Sequence, residues 1–124
     1  MLEYDRLSEQ LIKVVPEIRI PYETELRVWR TDVPGQHIIF GDLLAPFLVA
    51  ELERGKRKKL LRRIFDLLEE MATDPDVLVQ EVAQQAVLSN LCGQQPWSSR
   101  LDRYLGPRSR ALMLEYCDGF HKRH

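Results

Sequence analysis

Leu60, Leu61, Ile64, Phe65, Leu67, Leu68 and Met71 recur at three- and four-residue spacing, in a stretch from Lys56 to Ala72 that holds no proline or glycine. A helix on that pattern carries an apolar stripe too wide for one neighbour. The segment therefore predicts a central helix packed on two sides, and the rest of the chain must supply the surfaces that bury it.

The flanking segments read as further helices. Tyr4, Leu7, Leu11, Val14, Val15 and Ile18 form a first stripe, which Pro16 should end near Val15 because proline donates no backbone hydrogen bond. Pro21 offers a second start, with Tyr22, Leu26 and Trp29 as its apolar face. The alternative here is a short β-hairpin near residues 26–40, pairing Leu26 and Val28 with Ile38–Ile39–Phe40 across a type II turn at Val33–Pro34–Gly35–Gln36. The helix is the favoured reading. Asp42 then reads as the N-cap of a helix through Leu48 to Arg54, with Pro46 in its first turn and Gly55 as its terminator. Thr73–Asp74–Pro75–Asp76 restarts the chain into a helix from about Pro75 to Leu91, with Leu78, Val79, Val82, Ala83, Ala86 and Val87 inward and Gln80, Glu81, Gln84 and Gln85 outward. Ser98 or Ser99 caps a short turn through Leu101 and Tyr104. The last helix buries Leu112, Met113, Tyr116, Cys117 and Phe120 and ends at Gly119. Residues 1–124 thus read as one all-α domain, a compact bundle of five or six helices.

The formal net charge of −1 hides a blocked distribution. Residues 54–63 hold seven basic side chains and no acid, and residues 64–95 hold six acids and no base. Lys58, Lys59 and Arg62 lie in the basic block, which reads as a solvated helix face, a docking surface for an acidic protein patch, or a phosphate-binding surface. Nucleic acid is the less favoured partner, because no aromatic residue interleaves the block to stack a base. Glu69, Glu70, Asp74 and Asp76 form the acidic counterpart, a candidate surface for a basic partner. Asp74 and Asp76 also stand where helix N-termini favour anions. Trp97, in the polar stretch Gln94–Ser99, is either an exposed anchor for a partner or a lid folded over the core.

Catalysis needs a nucleophile with its base, paired acids or a metal cage, and none assembles here. His37 is the only histidine away from the C-terminal tail, and the glycines follow no phosphate-cradling pattern. The expectation is a protein without catalytic residues, metal or cofactor. Cys92 and Cys117, outside any CxxC motif, read as two free thiols in a reducing compartment. With no apolar run long enough to span a bilayer and no signal-peptide pattern at the N-terminus, the chain is expected to be cytoplasmic.

The segment His37–Ile38–Ile39–Phe40–Gly41–Asp42–Leu43–Leu44, followed by Pro46 and Phe47, resembles the entry of a small bacterial all-helical family. Ile64–Phe65, Leu68–Glu69–Glu70–Met71, Asp76–Val77, Val79 and Leu105–Gly106–Pro107–Arg108–Ser109 resemble the same pattern in order, over roughly residues 20–120. Some members of that family resemble immunity proteins encoded beside secreted polymorphic toxins. The resemblance implies a non-catalytic protein that binds and blocks a cognate toxin, and it supplies no site residues.

Overall fold

Helix α1 (Leu7–Val14) buries Leu7 and Leu11 and stops before Pro16, where the chain makes a 3-10 turn at Pro16–Ile18. The computed structural model describes residues 2–29 and 35–122, with side chains through Val28 and from Gly35 to Cys117. Helix α2 (Arg19–Trp29) follows, then α3 (Gln36–Ile39), a π-helical segment (Phe40–Leu44) and α4 (Ala45–Arg54) as one continuous rod. The central helix α5 (Lys58–Ala72) is next. Helix α6 (Val77–Glu81) runs on through a second π segment (Val82–Val87) into a 3-10 turn (Leu88–Leu91). Helices α7 (Ser98–Tyr104) and α8 (Pro107–Lys122) close the bundle. The fold is all-α, and no strand occurs among the described residues.

The wide stripe does what its width requires. All seven of its apolar residues, with Ala72, are buried, and α5 contacts α1, α4, α6, α7, α8 and the second π segment. Each fully buried Leu or Phe stabilises the fold by roughly 1.5–3 kcal/mol, so α5 is the main apolar anchor.

Several expectations are corrected. Leu26, Val28 and Ile38–Ile39 are helical, as in the favoured reading, and the alternative hairpin does not form among the described residues; Val33 and Pro34 of its turn lie outside them. The local composition favours this outcome, because Glu, Leu and Arg are better helix than strand formers. Asp42 is not an N-cap: the helix begins at Gln36, and Asp42 lies exposed inside the first π segment. Pro46 is therefore internal to the rod. Its missing N–H and crowding ring fall just beyond the widened π turn, the place where a helix interior best tolerates them. Leu78 is 50 % exposed rather than inward: the helix begins at Val77, two residues after Pro75, and turns Val79 but not Leu78 into the core. Tyr116 is exposed, and the backbone of α8 continues past Gly119 to Lys122. The side chains of Trp29 and Phe120 lie outside the described residues.

The expectation of two free thiols is overturned. Cys92, just after the 3-10 turn, and Cys117, on α8, form a disulfide across Cα atoms 5.8 Å apart. Two residues 25 apart in sequence were brought together by packing α8 on the 82–91 segment, which spacing alone does not reveal. The argument from free thiols to a reducing compartment goes with it. Among the described residues, no helix is long and apolar enough to cross a membrane.

Candidate functional site

Helix termini leave N–H and C=O groups without intrahelical partners, and these groups decide where the charged blocks go. Glu69, near the end of α5, accepts the backbone N–H of Ser109 at 2.8 Å, the Ser109 hydroxyl at 2.7 Å and the backbone N–H of Arg108 at 3.1 Å. It is the N-terminal cap of α8, supplied from another helix. Burial opposes ionisation of Glu69, but the hydrogen bonds from Ser109 and Arg108 outweigh it and hold the carboxyl below its ordinary range. Gly106 makes the approach possible, since a Cβ there would collide with the Glu69 carboxylate.

The other acids divide in the same way. Asp76 caps α6, accepting the N–H of Leu78 at 2.9 Å. Asp74 is buried and accepts the N–H groups of Asp76 at 2.9 Å and Leu2 at 2.8 Å, which lower its pKa and tie the N-terminal segment to the 73–76 turn. Asp66 pairs with Arg62 at 3.6 Å. Glu70 remains exposed, beside Lys13, Arg63 and Leu67 in a groove between α1 and α5. The structure does not bring Glu69, Glu70, Asp74 and Asp76 together as one free acidic face.

The arginines serve the opposite helix ends. Arg63 donates to the carbonyl of Val14, the last residue of α1, at 2.8 Å, and to Glu17 at 2.6 Å; that bond lowers the Glu17 pKa. Arg100 donates to the carbonyls of Leu52 and Glu53 at the end of α4, at 2.8 and 2.7 Å. Arg62 donates to those of Arg103 and Tyr104 at the end of α7, at 3.0 and 3.3 Å, and lies 5.0 Å from the Tyr104 ring centroid. Arg108 donates to Ala72 at the end of α5 at 3.3 Å. A planar fork reaches two acceptors at once and suits this work better than an ammonium does. Gly55, in the left-handed region at φ +66°, ends α4, and a Cβ on it would strike the Arg100 guanidinium.

The lysines of the basic block take no such part. Lys56, Lys58 and Lys59 are exposed at the junction between α4 and α5 and make no hydrogen bond or ion pair among the described residues. Below them, Glu51 is 1 % exposed and neutralised by Arg54 at 3.3 Å and Arg57 at 3.8 Å. Two cations in the first turn of α5 also oppose the helix dipole, so local stability does not explain them.

The family model of a domain of unknown function, DUF7674, matches residues 8–122. The chain belongs to DUF7674. No curated protein and no solved structure matches it. In this DUF7674 member Trp97 is 3 % exposed and packed in the core, so it is a lid and not an exposed anchor. Its burial follows from the short helix behind it, which turns Leu101 inward as well. Among the described residues no group of three or more His, Cys, Asp or Glu side chains is placed to hold a metal ion. Sequence reasoning assigned Lys58, Lys59 and Arg62 to one surface; it missed that Arg62 is bound by α7 while the lysines are not. It also missed Arg100. The only sequence signal for that residue was the need of α4 for a cap at Gly55.

Proposed function

We propose that this DUF7674 member is a non-catalytic binding protein that docks and neutralises a cognate bacterial toxin, meeting an acidic patch on that partner with the basic junction between α4 and α5. One observation carries the docking chemistry: Lys56, Lys58 and Lys59 stand exposed and unpaired, whereas Arg62 and Arg100 are committed to helix ends and Arg54 and Arg57 to Glu51. The arginines hold the helix ends under the lysines, so the ordering cost of association falls on the lysine side chains and not on the backbone. Unpaired surface charge of one sign accelerates encounter with a complementary surface. The toxin assignment of the partner rests on the resemblance of His37–Leu44 and the later motifs to immunity proteins. Lys58 and Lys59 are the expected contacts, with Lys56 beside them.

Two measurements test the reading. Immobilised poly-L-glutamate and an immobilised DNA duplex are compared at equal salt for the native chain and for the double variant Lys58→Glu/Lys59→Glu. Retention on poly-L-glutamate that the variant loses supports the acidic-protein partner. Stronger retention on the duplex moves the surface to nucleic acid, and no retention on either removes the junction as a docking site. The reading predicts that a neighbouring reading frame encodes a toxin, whose co-expression with the native chain should restore bacterial growth and with the variant should not. Absence of protection by the native chain overturns the toxin assignment.

A further inference from the structure

The loop closed by the Cys92–Cys117 disulfide contains the whole of α7, and α7 is the element that braces the basic junction. From α7, Arg100 holds the carbonyl ends of Leu52 and Glu53 just before Gly55 and Lys56. The terminal carbonyls of α7, at Arg103 and Tyr104, hold Arg62, and the Tyr104 ring stacks on Phe65 with centroids 5.7 Å apart. The segment from Gly93 to Pro96 that leads into α7 is exposed, and α7 itself is only seven residues long. Its attachment comprises the buried Trp97 and Leu101, the Tyr104 stack, the polar bonds just named, the Arg110 bonds to Asp102 from α8 and the disulfide at the mouth of the loop. Cys92 is half-buried and lines an open pocket of about 260 Å³ with Ser89, Asn90 and Tyr116, whereas Cys117 is 8 % exposed. Of the two cysteines, Cys92 is therefore the one open to a thiol in solution.

We propose that Cys92–Cys117 is a redox lock on the basic junction: a dithiol reductant opens it, α7 loosens, and docking of the acidic partner weakens. The inference rests on the docking role proposed above. A thiolate of the reductant attacks Cys92 Sγ, forming a mixed disulfide as the Sγ–Sγ bond breaks, and Cys117 leaves as a thiolate that takes up a proton. The second thiol of the reductant then displaces Cys92, which is protonated in turn. Two electrons and two protons have passed to the protein, and the reductant has become a disulfide. Without the crosslink, the entry to α7 keeps the buried Trp97 and the local Gln95–Ser98 turn but loses its covalent tie to α8, and its polar contacts to α4 and α5 open more often.

Amide hydrogen exchange of the full chain, oxidised and treated with dithiothreitol, tests the lock, with Cys92→Ser/Cys117→Ser as a reagent-free counterpart. The expected result is exchange on the order of tenfold faster across Ser98–Tyr104, with Leu60–Met71 unchanged, and weaker retention on poly-L-glutamate in the reduced state. Unchanged exchange in α7 overturns the lock whatever the retention shows. Equal acceleration in α5 also overturns it, since the disulfide would then be a staple of the whole domain. Faster exchange in α7 with undiminished retention overturns the coupling to docking. If Lys58→Glu/Lys59→Glu retains poly-L-glutamate as the native chain does in both redox states, the docking role fails, and the exchange data still report on the lock.

Discussion

The two ends of α5 carry charge of opposite sign, yet the N-terminal end keeps more of it free. At the C-terminal end, Glu69 turns onto the N-terminus of α8, and the acids of the following turn cap α6 and hold Leu2. At the N-terminal end, Arg62 and Arg63 leave for the carbonyls of α7 and α1, but Lys58 and Lys59 stay in solvent. The difference lies in what surrounds each end. Carboxylates meet orphaned N–H groups, which are strong partners for an anion, and guanidinium forks meet orphaned carbonyls. An ammonium on a flexible stem has no geometric advantage at either, and remains available to a partner. Blocked charge in a sequence is thus a mixture of caps and surface, and the local supply of open backbone groups sorts one from the other.

The sharpest way to break this comparison is at the cap. Glu69→Ala leaves the N–H and hydroxyl of fully buried Ser109 without partners and is expected to lower unfolding free energy by about 2 kcal/mol in urea titration. Gly106→Ala should lose much of the same amount, because its Cβ displaces the Glu69 carboxylate. Glu70→Ala should stay within about 0.5 kcal/mol of the native chain. Equal losses at positions 69 and 70 would erase the distinction between cap and surface.

Arg100→Ala comes next, at about 1 kcal/mol, since it uncaps the end of α4. Arg62→Lys breaks the two-nitrogen grip on Arg103 and Tyr104 and should cost a smaller amount, and no loss would remove the role given to the guanidinium fork.

Acid should act on the partnered carboxylates at both ends. Glu17, Glu69 and Asp74 all have folded pKa values below their ordinary 4.5, 4.5 and 3.8, so the folded state releases these protons more readily than the unfolded chain. Their contribution to stability is fully present above those ordinary values and is lost as the pH falls through the lowered folded ones. Urea midpoints should therefore be flat above about pH 5 and drop below it. In Glu69→Gln that acid limb should be shallower, and an unchanged limb would show that Glu69 does not contribute to it.

The smallest effect belongs to the lysines. Lys58→Ala/Lys59→Ala should change stability by less than about 0.5 kcal/mol, and in the stabilising direction, because two cations leave a helix N-terminus. A clear destabilisation in thermal unfolding would mean that these side chains serve the fold and are not free surface.

Much of the fold was legible in the residues. The α5 stripe, the stops at Pro16 and Gly55, and the break at Thr73–Asp76 all act within one or two helical turns, where periodicity and capping apply directly. The site was legible only in part: Lys58 and Lys59 were named correctly as surface, but Glu69 and Arg62 were grouped with free charges although both serve other helices. Trp97 illustrates the limit. Its polar neighbours suit an exposed anchor, but the inward turn of α7 buries it.

By itself, then, the sequence determined an all-helical chain, the order of its elements, the central place of α5 and the blocking of charge. Those properties depend on spacings of a few residues. Tertiary structure alone decided that Cys92 meets Cys117, that Glu69 caps a helix beginning nearly forty residues later, and that Arg100 closes α4. Each joins groups from elements far apart in sequence, and such pairs follow only from how the helices pack around α5.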